Sequence, residues 1–306
     1  MLDMPENQEL QDKLKELEEY VSKSKNVREM NLADIVKEVQ SGVVHIIHAT
    51  KNAETSELER AASGTGFIVK GRLVTNYHVI HQCPENSVVV IRTYDSPAKL
   101  SDCLKLNHDD LVKRTITASD EQHCDYVVLD IPELKEKDLY NFSLATHTSK
   151  QVGDSILFLG YPFEHLNLVC HAGIISSIYK SNNGITDTIQ VDASVNPSNS
   201  GGPLIDPETG NVIGIITRKA TGLHKTFEEL RSILQNNIDI IFSSPSIGMM
   251  SIEGVDPVQE IMDTQSKILQ LTHHIERSAN VGIGYAFSVE ELMTENFYYE
   301  TESLDV

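Results

Sequence analysis

The chain of 306 residues is long enough to bury a substantial core without disulfide bonds. Its hydrophobic fraction of 40% and charged fraction of 23% exclude wholesale disorder. Its formal net charge of -20 argues against a nucleic-acid-binding protein, which needs a basic surface.

The N-terminal segment, residues 1–38, predicts a helix because Leu10, Leu14, Leu17 and Val21 recur at helical spacing. The stripe covers about two heptads, so the helix could pack on its own domain or join copies of the chain. The start of the chain lacks the pattern of a signal peptide, and no apolar run reaches membrane-spanning length. We therefore expect a cytoplasmic or otherwise intracellular protein without a membrane span, with unconventional secretion left open.

Short β-rich runs separated by turns fill residues 39–218, and VGIGYAFSV at 281–289 returns to strand character. This pattern of short strands and turns predicts an all-β fold and disfavours a parallel α/β sheet. Between them, residues 219–280 predict a helical insertion. Thr226 with Glu229 is typical of a capping box, and Pro257 fits the first position of a second helix. We expect residues 291–306 to form a C-terminal tail.

The cysteines, Cys83, Cys103, Cys124 and Cys170, contain no C-x-x-C pair, so a zinc site is not indicated. We expect free, buried thiols, because the chain is neither small nor rich in cysteine.

Ser200 lies in NPSNSGGPLID, the segment most typical of catalysis. A serine nucleophile needs a neighbouring base and backbone N–H donors for the oxyanion. Gly201 and Gly202 permit a tight backbone beside it. The alternative interpretation is a simple turn.

His78 is the candidate base, because TGFIVKGRLVTNYHVI predicts two strands joined by a tight turn that deliver it at a strand end. His81 is the nearest competitor, and we interpret it as surface-facing. In HCDYVVLDI, Asp125 begins an apolar strand and would orient His78. Its rivals are other acids, interpreted as a strand-end residue and solvated loop residues: Asp130, Asp109, Asp110 and Asp120.

The order His78, Asp125, Ser200 agrees with the chymotrypsin-like arrangement and differs from the subtilisin and α/β-hydrolase orders. The segments GTGFIVKGRLVTNYHVI, CDYVVLDI, DASVNPSNSGGPLID, NVIGIITR and VGIGYAFSV resemble the HtrA/Deg family of trypsin-like serine proteases. The resemblance implies two perpendicular six-stranded β-barrels with the triad between them. The first would span 39–140, and the second 141–218 together with 281–290.

The resemblance further implies an oxyanion hole formed by backbone around Ser198, Asn199 and Ser200. Substrate would pair with Thr217, Arg218 and Lys219, which follow the nucleophile on the next strand. The position that corresponds to the base of the primary specificity pocket holds Ser194, which does not favour basic side chains. The family often cleaves after small or medium aliphatic residues, and it is typically trimeric, which makes residues 5–25 a candidate contact.

This sequence departs from the family pattern in three places. The family usually has glycine where Ser198 stands, and a residue with a side chain is strained there if the loop needs a positive φ. Few residues follow VGIGYAFSV, so we expect no PDZ domain. The insertion 219–280 falls beside the predicted specificity pocket, either as a hairpin packed on the barrel or as a gate over the cleft.

The expected function is therefore a serine endopeptidase that acts on proteins or peptides and needs no cofactor, because the triad and backbone donors suffice. The main alternative is a pseudoprotease that binds peptides with a malformed oxyanion hole. A cysteine-type relative is disfavoured by serine at position 200, and no H-E-x-x-H motif indicates a metalloprotease.

Overall fold

A computed structural model describes residues 31–81, 87–163, 165–181, 184–219, 224–243, 257–278 and 282–299. Most of the predicted N-terminal segment, including the candidate trimer contact at 5–25, lies outside the described residues, as does Cys83. Within the described part, no helix is long and apolar enough to cross a membrane.

The strands are β1 (Val43–Lys51), β2 (Leu58–Val69), β3 (Arg72–Thr75), β4 (Val88–Arg92), β5 (Leu104–Asn107), β6 (Thr115–Ser119), β7 (Tyr126–Leu129), β8 (Ser155–Gly160), β9 (Val169–Lys180), β10 (Asp187–Asp192), β11 (Pro203–Ile205), β12 (Val212–Lys219) and β13 (Ile283–Ser288). The α-helices are α1 (Leu32–Val39), α2 (Tyr77–His81), α3 (His108–Lys113), α4 (Pro132–Lys135), α5 (His224–Ser243), α6 (Pro257–Ser278) and α7 (Asn296–Tyr299).

The strands form two antiparallel sheets, which confirms the predicted all-β, chymotrypsin-like fold. The first is a seven-stranded sheet in the order β5-β4-β1-β2-β3-β7-β6, and the second is a closed six-stranded barrel in the order β10-β13-β12-β11-β8-β9. The first sheet differs from the six-stranded barrel that the resemblance implied. It is open, since its edge strands, β5 and β6, do not pair with each other.

One hydrophobic cluster contains side chains from both sheets and therefore fixes their mutual position. Phe67 and Tyr126 of the first sheet join Leu157 and Ile205 of the second, and all of them are buried. Because β2 and β7 belong to this cluster, the strands that carry the candidate site pack directly on the second barrel.

A tight turn joins the two strands before the candidate base, as the sequence predicted. Lys70 (φ 50°) and Gly71 (φ 68°) both have positive φ values, as a two-residue type I′ hairpin requires. The turn sets the register of β2 and β3, in which Val69 faces Arg72. His78 then lies in the short helix α2, three residues beyond the end of β3, so the prediction that it sits on a strand end was wrong by one helical turn.

His45 is fully buried on β1 and lies flat against the ring of Tyr161, with ring centroids 4.5 Å apart. Neither ring nitrogen has a hydrogen-bond partner among the described residues. Burial, followed by the positive charges of Arg60 and Arg92, lowers the pKa of His45 well below its ordinary value. His45 is therefore a neutral core residue.

The insertion contains two long helices, α5 and α6, as predicted. Helix α6 begins at Pro257, in agreement with the sequence. Helix α5 begins at His224, so Thr226 lies inside the first turn and is not the N-cap that the capping-box pattern predicted. The local pattern marked the correct region, but the helix begins three residues earlier than an N-cap at Thr226 implies.

The described segment after β13, which ends at residue 299, contributes side chains to the core. Leu292 and Phe297 belong to the shared hydrophobic cluster and are almost completely buried. The thiols are free where the structure describes them; Cys103 and Cys124 are buried as expected. Cys170 is exposed, contrary to the prediction, because its side chain points to the solvent face of β9.

Candidate active site

His78 and Asp125 form a direct side-chain pair. Nδ1 of His78 lies 2.8 Å from Oδ2 of Asp125, and the backbone N–H of His78 donates to Oδ1 over 3.2 Å. The Asp125 carboxylate is 2% exposed, whereas the imidazole is partly exposed. Two contacts from one residue fix the orientation of the ring and leave Nε2 to face outward from the carboxylate.

Asp125 is held in a left-handed backbone conformation, with φ 48°. The Asn76 Nδ2 amide donates to the Asp125 carbonyl over 2.7 Å, and the Asp125 N–H donates to the carbonyl of Asp120 over 2.9 Å. Aspartate tolerates this conformation better than most residues. The turn points the carboxylate toward His78 before the chain enters β7.

The residues on either side of Asp125 are bonded to the segment that follows β13. The Cys124 thiol donates to Glu291, and the Tyr126 hydroxyl donates to Glu295 over 2.6 Å. Burial, with a further contribution from Glu291, raises the pKa of the Cys124 thiol to about 12. Cys124 is therefore protonated at neutral pH and is not a nucleophile.

Ser200 is held at the turn between β10 and β11. Its carbonyl accepts a hydrogen bond from the N–H of Thr65 over 2.8 Å, and the N–H of Gly201 donates to Ile216 over 2.7 Å. Gly201 has φ 86°, and a Cβ at this position would lie 2.0 Å from the carbonyl oxygen of Thr65. Only glycine fits here.

Thr217 connects Ser200 to the His78–Asp125 pair. The Ser200 hydroxyl donates to the Thr217 carbonyl over 2.7 Å, and the Thr217 hydroxyl donates to Oδ2 of Asp125 over 2.6 Å. The pairing of β12 with β13 shifts register between Ile216 and Arg218, so Thr217 is a bulge residue. The bulge frees the Thr217 carbonyl from the ladder and turns its side chain inward.

The predicted oxyanion residues lie in one tight loop. The carbonyl of Pro197 accepts a hydrogen bond from the N–H of Phe163 over 2.9 Å. Because a trans peptide points its N–H away from its C=O, the N–H of Ser198 is directed to the other side. Within the described residues, the N–H groups of Ser198 and Ser200 have no hydrogen-bond partner, whereas the N–H of Asn199 donates to Asn196.

Ser198 has φ 76°, so this loop does require the positive φ that the sequence raised as a source of strain. Residue 198 is 9% exposed. It is the only residue of the predicted oxyanion segment 198–200 with this conformation.

The predicted substrate-binding residues lie at two places. Ser194 is exposed after β10, and its carbonyl accepts a hydrogen bond from Asn196. Thr217, Arg218 and Lys219 end β12, where the last two pair with β13. On the opposite side, the ladder with β11 ends at Ile215, so residues 217–219 pair with no strand on that side among the described strands.

The rival acids are engaged elsewhere. Asp130 contacts Arg72 and Lys135, and Asp120 contacts His123. Two further rivals, Asp109 and Asp110, lie in the first turn of α3. His81 is exposed, as expected, and stacks on Tyr77.

Sequence reasoning missed the hydroxyl of Thr217 as a ligand of Asp125, and it missed Asn76, Ser63, Thr65 and Arg60 as supports of the site. Asn76 could have been predicted from the sequence, since it is a polar residue between a buried strand and the candidate base. The others depend on contacts between distant segments, which periodicity does not encode.

A separate cluster, made of His147, Asp187 and Glu290, has the residue types of a metal site within the described part of the chain. The His147 nitrogens lie 3.6 Å from Asp187 and 3.1 Å from Glu290, on opposite sides of the ring. The Lys180 ammonium lies 2.9 Å from the same Asp187 oxygen. This arrangement fits a charge network better than a single metal ion, which would need ligands on one side of the imidazole.

Sequence comparison with a family model agrees with this fold. Residues 64–215 match the family model for a trypsin-like peptidase domain. Serine protease HTRA1B of Danio rerio is 32% identical over 200 residues, which cover 62% of this chain and 37% of that protein. Serine protease HTRA3 of Homo sapiens is 30% identical over 201 residues, which cover 62% of this chain and 40% of that protein. A solved structure of the HtrA-type protease AlgW with a tripeptide is 26% identical, with a TM-score of 0.46, and covers 61% of this chain and 54% of that one.

The two antiparallel sheets and the match over residues 64–215 identify a trypsin-like peptidase domain. Over about three fifths of its length, the chain is similar to serine proteases of the HTRA type. The chain spans about two fifths of the length of these curated relatives.

Proposed function

We propose that this chain is a serine endopeptidase in which Ser200 is the nucleophile, His78 the general base and Asp125 the residue that orients His78. The observation that carries this proposal is the continuous series of hydrogen bonds from Ser200 through Thr217 and Asp125 to His78. It links His78 and Asp125 of the first sheet to Ser200 and Thr217 of the second.

In the proposed reaction, the Ser200 hydroxyl turns from the Thr217 carbonyl toward Nε2 of His78. Oγ attacks the carbonyl carbon of the peptide bond while Nε2 takes the hydroxyl proton. The resulting tetrahedral species collapses as His78 returns the proton to the leaving amine, which produces the acyl-enzyme. Water, deprotonated by His78, then hydrolyses the ester and regenerates Ser200. Asp125 stabilises the imidazolium in each step.

The N–H groups of Ser198 and Ser200 are the proposed donors to the oxyanion. Both lack partners in the part of the chain that the structure describes, and the Pro197 carbonyl is held away by Phe163. Two preorganised donors aimed at the developing charge supply a large share of the rate enhancement in such sites.

Substrate is proposed to bind as an added strand along residues 217–219. Extended peptides commonly bind to a strand edge through main-chain hydrogen bonds. Because β11 stops pairing at Ile215, no described strand pairs with this stretch of β12 on that side. The peptide would then run past Ser200, whose hydroxyl contacts the Thr217 carbonyl.

A fluorophosphonate probe tests the proposal directly, because it phosphonylates only an activated serine. We expect one adduct per chain, located on Ser200 by mass spectrometry and abolished in Ser200→Ala. Profiling with a peptide library, again with Ser200→Ala as control, then defines the residues preferred at the cleavage site. Failure to label and to cleave any peptide contradicts the proposal.

A second candidate function is peptide binding without cleavage. It is favoured by one observation: the Ser200 hydroxyl donates to the Thr217 carbonyl and not to His78. On that hypothesis, peptides from the library bind to the wild type and to Ser200→Ala equally, and neither protein reacts with the probe.

A further inference from the structure

Ser198 occupies a backbone conformation that its side chain disfavours. Its φ of 76° belongs to the left-handed region, where residues with a Cβ are uncommon and glycine is the usual choice. Such a residue stays there only when its surroundings hold it. The contacts of Ser198 therefore identify what holds this loop in shape.

Three side chains of β2 contact Ser198. The Ser63 hydroxyl donates to Oγ of Ser198 over 2.7 Å, and Nη2 of Arg60 donates to the same atom over 3.1 Å. The Thr65 hydroxyl donates to the Ser198 carbonyl over 2.8 Å. The side chain and the backbone of residue 198 are thus bonded to one strand of the other sheet.

A bulge in β2 brings Arg60 and Ser63 to the same face. Residues three apart on a regular strand point to opposite faces. Here Arg60 pairs with Ala49 while Ala62 pairs with His48, so Ala61 is the extra residue of a bulge. The bulge restores the shared face, so that the side chains at 60, 63 and 65 form a row directed at the loop.

We propose that Arg60 and Ser63 are positioning residues, which act through the Ser198 side chain to keep its N–H available to the oxyanion. This proposal rests on the proposed function. In this chain, hydrogen bonds from β2 hold a serine in the left-handed backbone conformation that glycine would adopt without them. The anchors are needed only because residue 198 carries a side chain.

Two substitutions at position 63, one that removes the hydroxyl and one that keeps it, test this proposal. Ser63→Ala removes the shorter of the two hydrogen bonds to Oγ of Ser198 and is expected to lower kcat about 10-fold or more while KM stays unchanged, since losing one oxyanion donor outright costs about 100-fold or more. Ser63→Thr keeps the hydroxyl and should retain activity. In Ser63→Ala with Ser198→Gly, kcat should recover to within about twofold of Ser198→Gly alone, because glycine needs no anchor.

Ser155→Ala, an exposed serine at the start of β8, is the matched control and should leave kcat unchanged. Arg60→Met provides a second variant should Ser63→Ala fold poorly, with the same direction of effect and the same rescue by Ser198→Gly. Equal kcat in Ser63→Ala and wild type, or no rescue by glycine, overturns the proposal.

A crystal structure of Ser63→Ala separates this proposal from the proposed function. We expect residue 198 to leave the left-handed region, and a φ that remains near its present value overturns the positioning role. A wild-type chain that neither cleaves nor labels overturns the proposed function instead, and the crystal structure still decides whether β2 holds Ser198.

Discussion

Thr217→Val isolates the hydrogen bond that joins β12 to the buried carboxylate. Valine has the same shape and preserves the backbone carbonyl that accepts the Ser200 hydroxyl, so only the 2.6 Å hydrogen bond to Asp125 is lost. A hydrogen bond to a charged group contributes about 1.5–3 kcal/mol. Because Asp125 is 2% exposed, water cannot readily replace the missing donor.

We therefore expect Thr217→Val to lower the free energy of unfolding by about 1.5–3 kcal/mol at neutral pH, measured by urea denaturation. The value of kcat/KM should fall by about tenfold or more, since Oδ2 of Asp125 loses one of the two donors that orient it. Thr217→Ser keeps the hydroxyl and should stay close to wild type. Unfolding of Thr217→Val within about 0.5 kcal/mol of wild type would refute this reasoning.

Three further predictions concern the loop, the core and the insertion. Gly201→Ala should lose about 2–4 kcal/mol of stability, because its Cβ would meet the Thr65 carbonyl at φ 86°; a variant as stable as wild type contradicts this. Wild type should lose stability as pH falls below about 6.5, by up to about 1.4 kcal/mol per pH unit from His45, since the unfolded state takes up a proton that the fold excludes. His45→Phe should flatten this dependence in urea denaturation between pH 7.5 and 5.5, and an unchanged slope counts against it. Replacing 220–282 by a short turn is feasible because Lys219 pairs with Gly284, and it should change cleavage of proteins more than of small esters; equal effects argue against gating.

The parts of the site that were predictable from the sequence are those encoded by neighbouring residues. The Lys70–Gly71 turn, the strand after Asp125 and the glycine after Ser200 each follow from local chemistry. The fold class followed from many short strands. These features depend on backbone preferences within a few residues, which a sequence displays directly.

The remainder depends on two bulges and on contacts between distant segments. The bulge at Thr217 turns a strand residue into the link between Ser200 and Asp125, and the bulge at Ala61 aligns Arg60 with Ser63. A single extra residue in a strand leaves the alternation of side chains almost unchanged in the sequence, but it moves every later side chain to the other face. The hydrogen bonds from Cys124 and Tyr126, on either side of Asp125, to the segment after β13 also join distant parts of the sequence.

Trapping the acyl-enzyme tests the central claim most directly. The wild type is mixed with an activated ester, quenched in acid within milliseconds to seconds, digested and analysed by mass spectrometry. We predict an acyl group on the peptide that contains Ser200, formed at the rate of the initial burst of alcohol release and absent in Ser200→Ala. Turnover without an adduct on Ser200, or undiminished turnover in Ser200→Ala, contradicts the assignment of Ser200 as the nucleophile.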